Sequence, residues 1–147
     1  MNEKIFRKRE RKMKNELSLV NENLRKVYCS INANDEEGKK VMYNALTGSD
    51  ILLNDIVGQE ISVKDVFIQE KEVVDEQTGE VKTKYRTILI DENGQSYATG
   101  AYGVYNSLMT IFSLYGTPEN WSNPLKFQVV KIKSGKSNFE SLKLILK

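Results

Sequence analysis

The stretch "EISVKDVFIQEKEVVDEQTGEVKTKYRTILIDENGQSYATGAY", residues 60–102, decides the fold. Its opening, 60–74, is rich in Val, Ile and Phe and reads as a long strand. "DEQTGE" (75–80) is a polar turn containing Gly79, and "VKTKYRTILI" (81–90) is a second strand. "DENGQ" holds Asn93-Gly94, the strongest short hairpin signal, because both residues tolerate positive φ. "SYATGAY" (96–102) is the third strand.

Downstream, "GVYNSLMTIFSLYG" (103–116) places Val104, Leu108, Ile111, Phe112 and Tyr115 at helical spacing, with Gly116 as a stop. A loop, "TPENWSNP", holds both prolines, and Trp121 within it reads as a lid over the core. Two more strands follow, 125–133 and 139–146, joined by "SGKSN". The order strand, strand, strand, helix, strand, strand is that of an OB-fold. The expected fold is mainly β (α+β): a five-stranded OB-fold Greek-key barrel at about 58–146, with a helix between strands 3 and 4. Upstream, 24–32 reads as an added strand. "NANDEEGKKVMYNALTGSD" (32–50) reads as an added helix capped by Asn34 or Asp35, with Val41, Met42, Ala45 and Leu46 on one face. "ILLNDIVGQ" (51–59) is an apolar connector. The expected organisation is an arm at 1–16 and one domain at 17–147.

The chain has 147 residues, 39% hydrophobic and 29% charged, enough apolar material for one core. No run of about 18 apolar residues occurs, so no membrane span is expected, and the basic N-terminus lacks the apolar segment of a secretory signal. Cys29 is the single cysteine and histidine is absent. That excludes an intramolecular disulfide, Cys-based metal sites and every Ser-His or Cys-His nucleophile pair. No cofactor is expected, and a cytoplasmic setting suits the composition. The net charge of +2 is uneven: residues 1–14 hold seven Lys/Arg against two Glu, and the remainder 15 against 18. The basic arm, with Arg7, Lys8, Arg9 and Arg11, reads either as a solvated extension or as a contact for phosphates or a neighbouring subunit.

OB barrels bind extended polymers across strands 2 and 3. Here that pair carries Lys82, Lys84 and Arg86 beside Tyr85, with Tyr97 and Tyr102 across the turn. Single-stranded nucleic acid offers a charged backbone and flat bases, so a groove for it needs cations and aromatic faces. Lys131, Lys133 and Lys136, on the last hairpin, join the same candidate groove; Lys64 and Phe67 are weaker candidates. Alternation places Lys82, Lys84 and Arg86 on one face and Tyr85 on the other, and Ile88 and Ile90 continue the cationic face. The strand must therefore bend or change exposure near residue 87, with a bulge as the expected device. Whether Tyr85 or Arg86 faces the ligand stays open, as does whether Tyr97 and Tyr102 stack on bases or fill the barrel.

"VYNSLMTIFSLYGTPENWSNPLKFQVVKIKSGKSNFESLKLIL" (104–146) resembles the OB-fold single-stranded-DNA-binding proteins of phages and conjugative plasmids of Gram-positive bacteria, plasmid transfer proteins among them. The resemblance spans about 58–146 and rests on a helix, a Pro/Trp loop and a final basic hairpin. It implies sequence-tolerant ssDNA binding without catalysis, in replication or conjugative transfer, and oligomerisation along the strand. Housekeeping bacterial relatives end in an acidic tip that recruits partners, whereas this sequence stops at "SLKLILK". A self-contained coating protein, flexible at its N-terminus, is expected. Two alternatives remain. Asp65 with Glu80 and Lys82 echoes a metal-dependent nuclease pattern, and the barrel could instead scaffold protein contacts.

Overall fold

The computed structural model describes residues 26–48, 51–133 and 140–147. The elements are β1 (Lys26–Cys29), α1 (Glu36–Thr47), β2 (Ile51–Leu52), β3 (Glu60–Val74), β4 (Val81–Asp91), β5 (Ser96–Thr99), α2 (Tyr102–Tyr115), β6 (Leu125–Lys133) and β7 (Glu140–Leu146). The arm at 1–16 lies outside the described residues.

The strands form one curled sheet in the order β2-β5-β4-β3-β6-β7, with β1 also paired to β3. The stretch β5-β4-β3-β6-β7 keeps the antiparallel pairings expected of an OB barrel. The expected five strands are seven, because β1 and the two-residue β2 join the sheet. Among the described residues β5 and β7 do not pair, so the sheet is an open half-barrel rather than a closed Greek key. Helix α2 fills that gap. A Cβ on Gly103 would lie 2.1 Å from the Leu142 carbonyl oxygen, so only glycine lets the helix approach β7 this closely. Ser107 Oγ then accepts the Leu144 N–H at 3.3 Å, satisfying an edge group that a strand would otherwise take.

Two apolar clusters follow from strand alternation. Inside the curl, Val63, Val66, Ile68, Leu89, Phe127, Val129, Leu142 and Leu144 pack beneath Val104 and Leu108 of α2. On the outside of β3, β4 and β5, Phe67, Ile88, Ile90 and Ala98 are covered by Ile31, Met42 and Ala45. Helix α1 is thus the roof of that outer layer. Asp35 caps it, its carboxylate accepting the Gly38 N–H at 2.7 Å.

Several sequence expectations shift. The third strand ends at Thr99, and Tyr102 opens α2 instead of closing β5. Tyr115 is half exposed rather than part of the apolar stripe, and Phe67 is fully buried. Trp121 does lie against the core, its Nε1–H donating to the Gly116 carbonyl at 2.9 Å.

Candidate nucleic-acid interface

Counting outward from the turn at 75–80 sets the register of β3 against β4: Val74↔Val81, Val73↔Lys82, Lys71↔Lys84, Gln69↔Arg86. β5 pairs with β4 only at 87–90, and β1 and β6 pair with β3 only up to Gln69. Among the described residues, 70–74 and 81–86 therefore form a two-stranded ribbon reaching beyond the sheet. Its faces differ chemically. Lys71, Lys82, Lys84 and Arg86 share the outer face, which continues into the buried Ile88 and Ile90. Glu70, Glu72, Thr83 and Tyr85 share the inner face.

The change of exposure near residue 87 is real, but β4 has no bulge there. The register shifts lie in β1 and at Val63–Asp65 of β3. The outer face becomes buried at Ile88 because α1 lies on it. The same helix covers the outer side of the strand 2–strand 3 pair, so that part of the expected polymer-binding face is closed. What remains open is the ribbon and the unpaired end of the half-barrel.

At that end a cavity of about 580 Å³ opens between β4, the β5–α2 corner and the β6–β7 hairpin. Tyr85, Tyr102, Lys84, Lys131, Glu140 and Leu142 are among the residues around it. A second hollow of about 420 Å³ lies against Lys71, Lys84, Tyr85, Arg86, Thr99 and Gly100. The two share Lys84, Tyr85, Thr99 and Gly100, so they adjoin across the rim of β4.

The tyrosines form a row. Tyr85 lies flat on Tyr105, centroids 4.2 Å apart and planes 4° apart. Tyr102 follows on Tyr105 at 5.8 Å and 29°. Burial, then the neighbouring Tyr85 hydroxyl, Tyr102 and Glu70, push the Tyr105 pKa up. Tyr105 is thus held in its neutral form. Tyr102 is 63% exposed and ends the row with an open ring face.

The remaining candidates separate. Lys131 borders the cavity, 3.7 Å from Glu140 across the strand pair, and Lys133 continues its face at the end of β6. Tyr97 is not brought to the mouth. Its ring packs against the inner core and its hydroxyl donates to Asp91 Oδ2 at 3.0 Å. Lys64 borders a separate hollow beside Trp121. Lys136, Arg7, Lys8, Arg9 and Arg11 lie outside the described residues. Two residues beside these hollows are not among the sequence candidates. Tyr105 is not singled out by the sequence, although Tyr102 and Tyr105 stand at i, i+3. Lys71 was legible by counting back from the turn, which puts it opposite Lys84.

The nuclease pattern does not assemble. Asp65 pairs with Ile90, while Glu80 precedes Val81, the partner of Val74. Nine residues of strand separate the two positions, roughly 30 Å at the usual rise. Asp65 instead accepts the Ser30 hydroxyl at 2.9 Å. Among the described residues no group of three His, Cys, Asp or Glu could hold a metal ion, and no helix is long and apolar enough to cross a membrane.

The model of the phage single-stranded DNA-binding protein family (phi29 phage SSB) matches residues 21–147. The chain belongs to this family. It is a single-stranded DNA-binding protein, of a class that binds without catalysing a reaction. No curated protein and no solved structure matches the chain.

Proposed function

We propose that the protein coats single-stranded DNA with little regard to sequence. The strand follows the outer face of the ribbon, where Lys71, Lys82, Lys84 and Arg86 meet phosphates. It then turns at the Thr99–Tyr102 corner into the mouth of the half-barrel. There Tyr102 stacks on a base, with Tyr105 and then Tyr85 behind it, and Lys131, Lys133 and Lys136 take further phosphates. The observation that carries this reading is the shared rim: Lys84 and Tyr85, on opposite faces of β4, border both hollows. Tyr97 is left as a barrel residue.

The setting is replication of a phage genome, or the replication or conjugative transfer of a plasmid, in the cytoplasm of the host. Binding is cooperative, and the basic arm through Arg7, Lys8, Arg9 and Arg11 contacts DNA or a neighbouring copy. Titration of labelled oligo-dT against duplex of equal length, at two salt concentrations, tests the reading. Preference for the single strand, with affinity falling steeply as salt rises, supports it. Equal binding to duplex, or salt-insensitive binding, overturns it. Arg86→Ala weakens oligo-dT binding while the protein stays folded; unchanged affinity removes Arg86 from the track.

A further inference from the structure

The end of the ribbon is not basic. Val74 and Val81 face each other across the last strand pair and are 59% and 60% exposed. The turn beyond them holds Asp75, Glu76 and Glu80. That turn is firmly built. The Asp75 N–H donates to the Glu80 carbonyl and the Gly79 N–H to the Asp75 carbonyl, each at 2.8 Å. The Asp75 carboxylate accepts the Gln77 N–H at 2.9 Å. The result is a fixed apolar pair ringed by carboxylates, at the far end of a cationic ribbon.

A surface of the opposite kind lies elsewhere on the molecule. On β6 and β7 the inward residues are Phe127, Val129, Leu142 and Leu144, so Val130, Ile132 and Ile145 point outward. Ile132 and Ile145 are 39% and 41% exposed. Lys143 stands opposite Val130, and Lys126 and Lys147 flank the row, tied by the Lys147 N–H donating to the Lys126 carbonyl at 2.9 Å. Glu60, paired with Gln128, and Glu92, whose carboxylate accepts the hydroxyl of Ser62 opposite Lys126, are the acids at its side, so three lysines face two glutamates. Helix α1 sits over β3, β4 and β5 and α2 sits at the barrel end, so neither roofs this face.

We propose that the acidic, valine-tipped ribbon of one copy seats on the lysine-rimmed isoleucine face of β6–β7 in the next copy on the same DNA strand. The two patches match in apolar character and oppose in charge, which favours this pairing over like-with-like contact. They are different surfaces, so the contact is head-to-tail and propagates instead of closing into a dimer. A ribbon tip covers little area, so the contact is weak between free molecules. It gains strength when a shared strand holds two copies side by side, because the second contact is then effectively intramolecular. The proposal rests on the coating function above and adds the surface by which copies adjoin.

Charge reversal on each side tests it. One variant carries Glu76→Lys with Glu80→Lys, another Lys126→Glu with Lys143→Glu, and a third all four. Affinity is read by anisotropy on an oligo-dT that holds one copy and on one that holds many. Each two-residue reversal should leave short-oligo affinity near that of the natural sequence. Each should lower the extra affinity gained on the long strand by about tenfold, and the four-residue variant should recover most of it. The proposal is overturned if that variant recovers nothing, or if the Lys126/Lys143 reversal weakens short and long strands equally, which would make those lysines DNA contacts. It is also overturned if the natural sequence gains nothing with length; intact short-oligo binding would then leave the DNA-binding reading standing.

Discussion

Tyr105 packs against two rings, Tyr85 at 4.2 Å and Tyr102 at 5.8 Å. Tyr102 is 63% exposed, and the proposed reading stacks it on a base. Their truncations should differ in kind. Tyr102→Ala should change stability by less than about 0.5 kcal/mol and lower oligo-dT affinity by about 1–3 kcal/mol. Tyr105→Ala should cost about 1–2 kcal/mol of stability from the lost stacking alone. Urea melts beside titrations separate the two; a Tyr102 variant that melts early but binds normally would reverse the roles. Tyr28 presents a different chemistry. Burial, then its hydrogen bond to Glu119 at 2.6 Å, raises its pKa well above the ordinary value. A raised folded pKa means stability that is complete below the unfolded pKa of about 10 and is lost as pH rises through the folded one. Urea midpoints should therefore fall between pH 9 and 11 (roughly the span in which the unfolded phenol ionises), and fall less steeply in Tyr28→Phe. Parallel slopes in the two proteins would exclude Tyr28 as a source of the alkaline loss.

At the scale of elements, α2 closes the half-barrel in place of a strand pair, and the closeness depends on Gly103. Gly103→Ala sets a methyl carbon 2.1 Å from a backbone carbonyl oxygen, and neither α2 nor β7 can yield locally. It should destabilise the protein by at least about 2 kcal/mol, seen as a lowered urea midpoint; an unchanged midpoint would mean the helix is not seated as described. The ribbon stores a smaller conflict. Lys71 and Lys84 are directly opposed, and like charges across a strand pair repel. Lys71→Gln should raise the stability of DNA-free protein by up to about 0.5 kcal/mol. It should also lower the slope of log affinity against log salt by about 0.7, one phosphate contact fewer on a single strand. A loss of stability with an unchanged slope would remove Lys71 from the phosphate track.

At the scale of the whole molecule, the charge is sorted rather than summed. A net charge of +2 divides into a basic arm, a cationic ribbon face, acids at the ribbon tip and lysines along β6–β7. Sorted charge of this kind directs where a polyanion and a second copy can sit, which net charge does not. Deleting residues 1–12 removes six of the seven basic residues of the arm. It should reduce the steepness of the binding curve on long oligo-dT more than it reduces the urea midpoint. A curve of unchanged steepness would leave the arm without a part in cooperativity.

The alternation of 60–74 and 81–91, the Asn93-Gly94 turn and the spacing of Val104, Leu108 and Phe112 are local properties, and they determined the long hairpin, the two helices and the order of the barrel strands. Register within the β3–β4 ribbon was also legible, since a short turn fixes which residues face each other. The closure of the sheet was not. Whether β5 meets β7 or α2 takes its place depends on groups brought together from residues 99–107 and 140–144, far apart in the chain. The roof on Ile88 and Ile90 likewise depends on Met42 and Ala45, some forty residues upstream. That roof buries the Ile88 and Ile90 end of the outer face and leaves its Lys82 and Lys84 end exposed. Strand alternation says that Lys84 and Tyr85 point to opposite sides; only the packed molecule, by ending its layers just there, makes both sides border one rim.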